Sequence, residues 1–305
     1  MIASLANWLL RSPSRAALVA ALAAFLVLPT GIMFTAWAPG AVLACLVFAG
    51  KLSPRWVPAS LVAAGIPLAW GLGQGVGTVI GAGLAAALLL PTVALAAWLR
   101  RTNSLSYTVQ VAAVAGIVAV IGAHLGVDDS KAFWQPFIVG VEQMLQQMGG
   151  AGQEAHEIAE AAGEVAWGGA IWLVTLYSLL GVFFGLHLFG RSRDTHELGP
   201  RFRALKVGRV LAVLAVVAWG LTAWRVAHEA DDVMYVLLGM FLLQGLALVH
   251  AARETFALGG WVLVLFYVLL FLLSALVLPA LVLLGWLDNW LDFRGRWTKR
   301  LASRG

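Results

Sequence analysis

Charge is scarce in this chain. Asp, Glu, Lys and Arg make up 11% of its 305 residues, against about 25% in an ordinary soluble domain. So few ions cannot solvate a globular surface of this size, which excludes a soluble domain. Cysteine is nearly absent too: Cys45 stands alone inside an apolar run. That excludes disulfides within the chain and cysteine metal sites, and leaves Cys45 as a small buried apolar residue. The common catalytic sequences are also missing. Gly50-Lys51 has no glycine five residues before Gly50, so there is no phosphate-binding Gly-x-x-x-x-Gly-Lys loop. Neither His-Glu-x-x-His nor Gly-x-Ser-x-Gly occurs. With no nucleophile–base pair in view, the chain reads as non-enzymatic and without a cofactor. Any energised process through it requires a partner.

Hydrocarbon is what the chain has instead. Hydrophobic residues make up 61% of it, and apolar runs of 18 or more residues recur along its length, the mark of membrane-spanning helices. The fold class is therefore all-α: a polytopic transmembrane bundle of roughly 8–10 spans, at about 20 residues each. Residues 1–15 read as an interfacial segment before the first span. Ala36-Trp37-Ala38 resembles a signal-peptidase site, but the apolar run continues to Gly50 and argues against cleavage. Residues 16–50 are long enough for two helices, with turns available at Pro29, Gly31, Pro39 and Gly40. Further spans are expected at 56–72, 75–99 and 107–125, completing a five-span unit over 1–125. Residues 167–190 make a sixth span and 191–209 a basic loop. Residues 210–305 supply spans at 210–224 and 234–250, a last apolar run at 260–287 and a basic tail.

Between the fifth and sixth spans lies the one long polar stretch, residues 126–166. It carries Asp128, Asp129, Glu142, Glu154, Glu157, Glu160 and Glu164, with Lys131 the single formal positive charge. Phe137, Ile138, Val141, Met144, Leu145 and Met148 recur at helical spacing and predict one amphipathic helix. Gly149, Gly150 and Gly152 end it, and a second helix carries the glutamates toward span six. Charge asymmetry sets the orientation. With both termini cytoplasmic, Lys131 and Arg225 are the only two of 20 Lys and Arg residues on the outer side, and most carboxylates fall there, which follows the positive-inside rule for a bacterial inner membrane. Glu229, Asp231 and Asp232 are expected in a short outer loop. A single crossing by 260–287 would put Arg294, Arg296, Lys299, Arg300 and Arg304 outside. A bent hairpin containing Pro279 would return them to the inner side; the sequence leaves the path of this run open, with an inner C-terminus the better reading.

Candidate functional residues follow from this layout. In a ligand-binding protein, Trp134, Glu142, Gln146 and Gln147 would line an outer cavity beneath the acidic insertion. His156 and Glu160, four residues apart, share a helix face; two ligands fall short of a metal site, and a solvated face is the ordinary meaning of such a stripe. Within the spans, Gln110, His187 and Gln244 are the deep polar residues, for which hydrogen bonding between helices is sufficient. Gln74, His124, Arg225 and His250 lie near span ends. The absence of a row of intramembrane carboxylates argues against a proton-driven pump. Small residues at four-residue spacing, Ala16, Ala20 and Ala24 on span one and Gly73, Gly77 and Gly81 on span four, allow close helix approach. The basic loop, Arg191, Arg193, Arg201, Arg203, Lys206 and Arg209, suits anionic lipid or a cytoplasmic protein partner. It does not point to nucleic acid, because the clusters sit between membrane spans. A membrane scaffold is therefore the competing functional reading.

Two stretches carry a family resemblance. Gly285-Trp286-Leu287-Asp288-Asn289-Trp290-Leu291-Asp292-Phe293-Arg294 and Leu243-Gln244-Gly245-Leu246-Ala247-Leu248-Val249-His250 resemble motifs of the YybS-like bacterial integral membrane proteins, a family of unknown function. The five spans, helical insertion and basic loop match its layout. That family is similar, in its first six spans, to the substrate-binding S-components of energy-coupling-factor transporters. The resemblance implies a small-molecule-binding, transport-related module. It also implies that Ala16, Ala20 and Ala24 form the face that docks a membrane coupling subunit. Three further apolar runs after span six depart from the S-component pattern, and no vitamin-binding motif is present.

Overall fold

A computed structural model describes residues 2–12, 14–15, 18–20, 37–52, 78–195, 197–224 and 229–303. Within them the chain is all helical, with no strand among the described residues. In order the helices are α1 (Ile2–Leu10), α2 (Ala38–Ala49), α3 (Thr78–Thr102), α4 (Leu105–Gly126), α5 (Ser130–Gln147), α6 (Gly152–Glu164) and α7 (Ala166–Arg191). Then follow α8 (Leu198–Arg203), α9 (Arg209–Ala223), α10 (Glu229–Thr255), α11 (Trp261–Leu272), α12 (Ser274–Leu291) and α13 (Phe293–Ala302). By length and composition α4, α7, α10 and α12 can each cross a bilayer, and α2, α9 and α11 are shorter apolar helices. The expected polytopic helical bundle is what the chain forms. The expected span at 56–72, Pro29, Gly31, Gly73, Gln74, Gly77 and Arg225 lie outside the described residues.

The chain divides into two compact units, residues 1–112 with 174–205 and residues 113–173 with 206–305. In the first, α2 packs against α1 and α3. Leu9, Ala20, Val42 and Leu46 form a buried cluster there. Glycines set the approach of α7 to α2: a Cβ on Gly185 would come 2.5 Å from that of Ala44. Indole and phenyl rings then stack, Trp37 on Phe184, at 4.0 Å. The end of α2 is closed by Gly50, in the left-handed region at φ 69, where glycine carries no steric cost. The Arg100 guanidinium donates to the Val47 carbonyl there at 3.0 Å, beside the Gly50 N–H that the same oxygen accepts, a cation at the negative end of the helix.

In the second unit the acidic insertion is a helical hairpin. Asp129 caps α5 through the Ala132 N–H at 2.9 Å, as N-cap carboxylates do. Gly149, at φ 92, breaks the helix where the sequence predicted. α5 packs on α6 with Ile138 buried, and a Cβ on Gly163 would come within 2.6 Å of the Ile138 side chain. The rest of the predicted apolar stripe is more open: Phe137, Met144 and Met148 are exposed. Glu229, Asp231 and Asp232 are the first turn of α10 and no loop. Three carboxylates suit that position because unpaired N–H groups give a helix start partial positive charge.

The last apolar run is a hairpin. α11 ends at Leu272, and after Leu273 α12 starts at Ser274 and packs against both α11 and α10. Tyr267 on the way out bonds His250 at 2.8 Å. On the way back, Gln244 bonds Asp288 at 2.9 Å, and Phe256 meets Trp297 at 5.5 Å between ring centroids. Contacts thus advance together along α10 and α12, so these helices run in the same direction and residues 258 and 297 lie at the same end. The reversal falls at Leu273. Pro279 instead sits inside α12, one turn in, where few backbone bonds are lost. Where α10 crosses α12, Gly245 and Gly285 face each other's backbones: a Cβ on Gly285 would overlap the Phe241 carbonyl, and one on Gly245 the Leu281 carbonyl. Small residues at a helix crossing are how membrane helices gain dispersion contact.

Candidate functional site

The second unit contains a cavity of about 960 Å³ between α9, α10, α12 and the first turns of α7. Trp172, Trp219, Tyr235, Leu238, Pro279 and Trp286 are among its walls. The helices supply these residues at three- and four-residue spacing: Met234, Tyr235, Leu238 and Leu242 on α10, Leu278, Val282 and Trp286 on α12. Gly239 makes room for Trp172, since a Cβ there would overlap the indole. The lining is almost wholly apolar. Ligand cavities elsewhere place a few convergent polar groups among such walls.

Here the lining offers only the Tyr235 hydroxyl and indole N–H groups, and the charged and amide side chains nearby lie beyond the cavity and are bonded. Toward one end Asp232 is fully buried. Its Oδ1 accepts the Gly168 N–H at 2.6 Å, and its Oδ2 meets His124 Nε2 at 2.7 Å. Gly168 is needed because a Cβ would come 2.6 Å from the Asp232 backbone. A buried carboxylate costs several kcal/mol unless paired, and both its oxygens are. Gly168 lies one turn before Trp172, which places this pair next to the cavity's end.

Toward the other end the two motifs singled out in the sequence meet. Gln244 is fully buried; its Oε1 accepts the Val207 N–H at 2.7 Å and its Nε2 donates to Asp288 Oδ2. Asp288 Oδ1 accepts the Phe293 N–H at 3.1 Å, and Arg294 lies 3.5 Å from Asp288 Oδ2. Asn289 Oδ1 accepts the Gly208 N–H at 2.8 Å. Trp286, though in the cavity wall, donates its indole N–H to the Ala212 carbonyl at 3.0 Å. Lys206 donates to Asp292 at 2.6 Å, which holds the Asp292 carboxyl below the usual range. Burial lowers the Arg294 guanidinium from its ordinary value.

The residues predicted to line an outer cavity sit elsewhere. Trp134 belongs to an aromatic cluster with Phe133, Phe137 and Trp167. Trp167 donates its indole N–H to Ser130 at 3.2 Å. Glu142 is joined to Gln146 at 3.2 Å and to His156 Nδ1 at 3.2 Å, and Gln147 is exposed. His156 and Glu160 do share a face, at 3.9 Å, and Lys131 pairs with Glu160 at 3.0 Å. The hydrogen bond with Glu142 raises His156 above its ordinary value, and Lys131 lowers Glu160. No group of three metal-ligating side chains occurs among the described residues. Ala20 is buried beside Leu9, Val42 and Leu46, while the side chains of Ala16 and Ala24 lie outside the described residues. In the basic loop, Arg193 stacks on Phe189 at 4.5 Å and Arg201 pairs with Glu197 at 2.8 Å. Arg191 closes α7 and Arg203 closes α8. Arg209 Nε donates to the Asn289 carbonyl at 3.2 Å.

The cavity itself gave little sign in the sequence, because its walls are the same Leu, Val and Trp that fill any span. Gly239, an unexplained glycine within a long apolar helix, was the available clue. No family model, no curated protein and no solved structure matches this chain.

Proposed function

We propose that this is a non-enzymatic integral membrane protein whose second unit binds the hydrocarbon part of a small molecule drawn from the bilayer. The observation that carries this is the mismatch between the cavity and its surroundings. About 960 Å³ is bounded by apolar walls, while His124, Asp232, Gln244, Asp288 and Asn289 nearby are bonded to one another or to backbone. A polar metabolite would meet only the Tyr235 hydroxyl and the Trp172 and Trp219 indole N–H groups among walls that are otherwise hydrocarbon. A lipid-like chain would exchange one hydrocarbon surrounding for another, so selectivity comes from shape and the tryptophans. This gives a ligand class to the binding module that the YybS-like and S-component resemblances imply, and it places the ligand beside α9, α10 and α12, away from Glu142 and Gln146.

The proposed setting is a bacterial inner membrane with both termini cytoplasmic and 126–166 outside. Charge within the second unit supports that orientation. The acidic hairpin and Asp232 lie at the start of α10, and Lys206, Arg209, Arg294 and α13 gather toward its other end. Along α10 it is 12 residues from Asp232 to Gln244, beside Val207, and 24 to Phe256, beside Trp297, about 18 Å and 36 Å. Lys and Arg on the cytoplasmic side and carboxylates opposite are what the positive-inside rule requires.

Native mass spectrometry of protein released from membranes tests the ligand. The parent should retain a bound lipid-class mass, and Ala215→Trp combined with Leu238→Trp, which sets two indoles into the cavity, should retain much less of it at unchanged thermal stability. Equal retention by both proteins would reject the cavity as the binding site.

A further inference from the structure

α13 leaves the end of α12 at a defined place. Trp286 and Trp290 stand in the last turns of α12, the depth at which aromatic belts mark the edge of a membrane. Asp292, with φ 45, then turns the chain. Two contacts fix the turn: Lys206 on the Asp292 carboxylate and the Phe293 N–H on Asp288. α13 therefore starts where hydrocarbon gives way to headgroups, in a direction the fold determines.

Its side chains divide by position. Phe293, Trp297 and Leu301 recur every four residues and share one face. Phe293 stacks on Trp297, and Trp297 packs on Phe256. Arg294 points inward to Asp288. Arg296, Lys299 and Arg300 occupy an adjoining arc, are exposed, and form no ion pair among the described residues. An exposed cationic arc beside an aromatic stripe, starting at the bilayer edge, has the composition of helices that lie in an anionic membrane surface.

We propose that α13 is an interfacial anchor in which Arg296, Lys299 and Arg300 bind the phosphate headgroups of anionic lipids beside α12. The partner is the surrounding bilayer. The helix is fixed at its first residue, so little ordering entropy opposes the contact, and each basic side chain adds electrostatic attraction that salt screens. This anchor is independent of what occupies the cavity.

Full-length protein carrying an environment-sensitive fluorophore on Ser303→Cys, with Cys45→Ala, is placed in nanodiscs of phosphatidylcholine with increasing phosphatidylglycerol. The fluorophore should shift to the blue as anionic lipid rises, and 0.5 M NaCl, roughly a 4 Å screening length, should reverse the shift. The triple variant R296Q/K299Q/R300Q should need about tenfold more anionic lipid for the same shift. An identical spectrum in zwitterionic and anionic discs would overturn the proposal, as would a triple variant responding like the parent. The salt arm is read on the parent, so the test does not depend on how the variant folds.

Discussion

Single residues in this protein show how costly polarity is inside an apolar bundle. Gln244, Asp232 and Asp288 are buried, and their partners are backbone N–H groups and other side chains. Leaving one such group without its partner costs about 1–3 kcal/mol, so each has been matched. The sequence marked Gln244 as a deep polar residue that helix-to-helix hydrogen bonding would satisfy, and it is. It could not reveal that Asp288, 44 positions away, is the partner. Asp232 read as a loop residue because three carboxylates within four residues resemble a solvated turn; burial by Gly168 and His124 is a tertiary fact. Outside the spans, His156 gives a pH prediction. Its hydrogen bond with Glu142 raises its folded value above the unfolded 6.5. Its contribution to the hairpin is then fully present below pH 6.5 and lost as pH rises through the raised value. NMR titration of the histidine ring should show the raised midpoint in the parent and a return toward 6.5 in Glu142→Gln. An unchanged midpoint would mean that the contact between α5 and α6 does not persist in solution.

At the scale of helices, boundaries were legible and partnerships were not. Arg100 and Arg101 end α3, Gly149 ends α5, and Gly126 and Trp167 lie within a residue of the ends of α4 and α7. Each depends on nearby sequence: charges outside hydrocarbon, glycine at positive φ, and the length needed to cross a bilayer. The glycines of α10 and α12 are different. Gly245 and Gly285 are ordinary residues in a glycine-rich chain until the crossing brings each against the other's backbone. Gly285→Ala should therefore destabilise by about 1–3 kcal/mol, the usual range for overpacking a tight contact. Gly260→Ala, with nothing within 4 Å of the new methyl, is the control. Thermal melts in detergent measure the difference, and equal melting temperatures would show that the crossing can relax.

For the whole molecule, the path of residues 260–287 decides the sidedness of the C-terminus. The contacts of Tyr267 with His250 and of Trp297 with Phe256 make that run a hairpin. In a Cys45→Ala background, single cysteines at Glu254 and Ser303 should accordingly be labelled by an impermeant maleimide from the same side. One at Asp231 should be labelled from the opposite side. Labelling of residues 254 and 303 from opposite sides would make the run a single crossing and reverse the orientation of the tail. The sequence by itself determined that hydrocarbon surrounds this chain, that its regular structure is helical, and where its polar insertion and basic segments fall. Transfer free energy and helix length depend on local composition, so these are written locally. Only the tertiary structure decided that α12 returns beside α10, that Gln244 meets Asp288, and that an apolar cavity remains between α9, α10 and α12. Such matters depend on which apolar face meets which, and faces of similar hydrophobicity give no sequence signal to tell one partner from another.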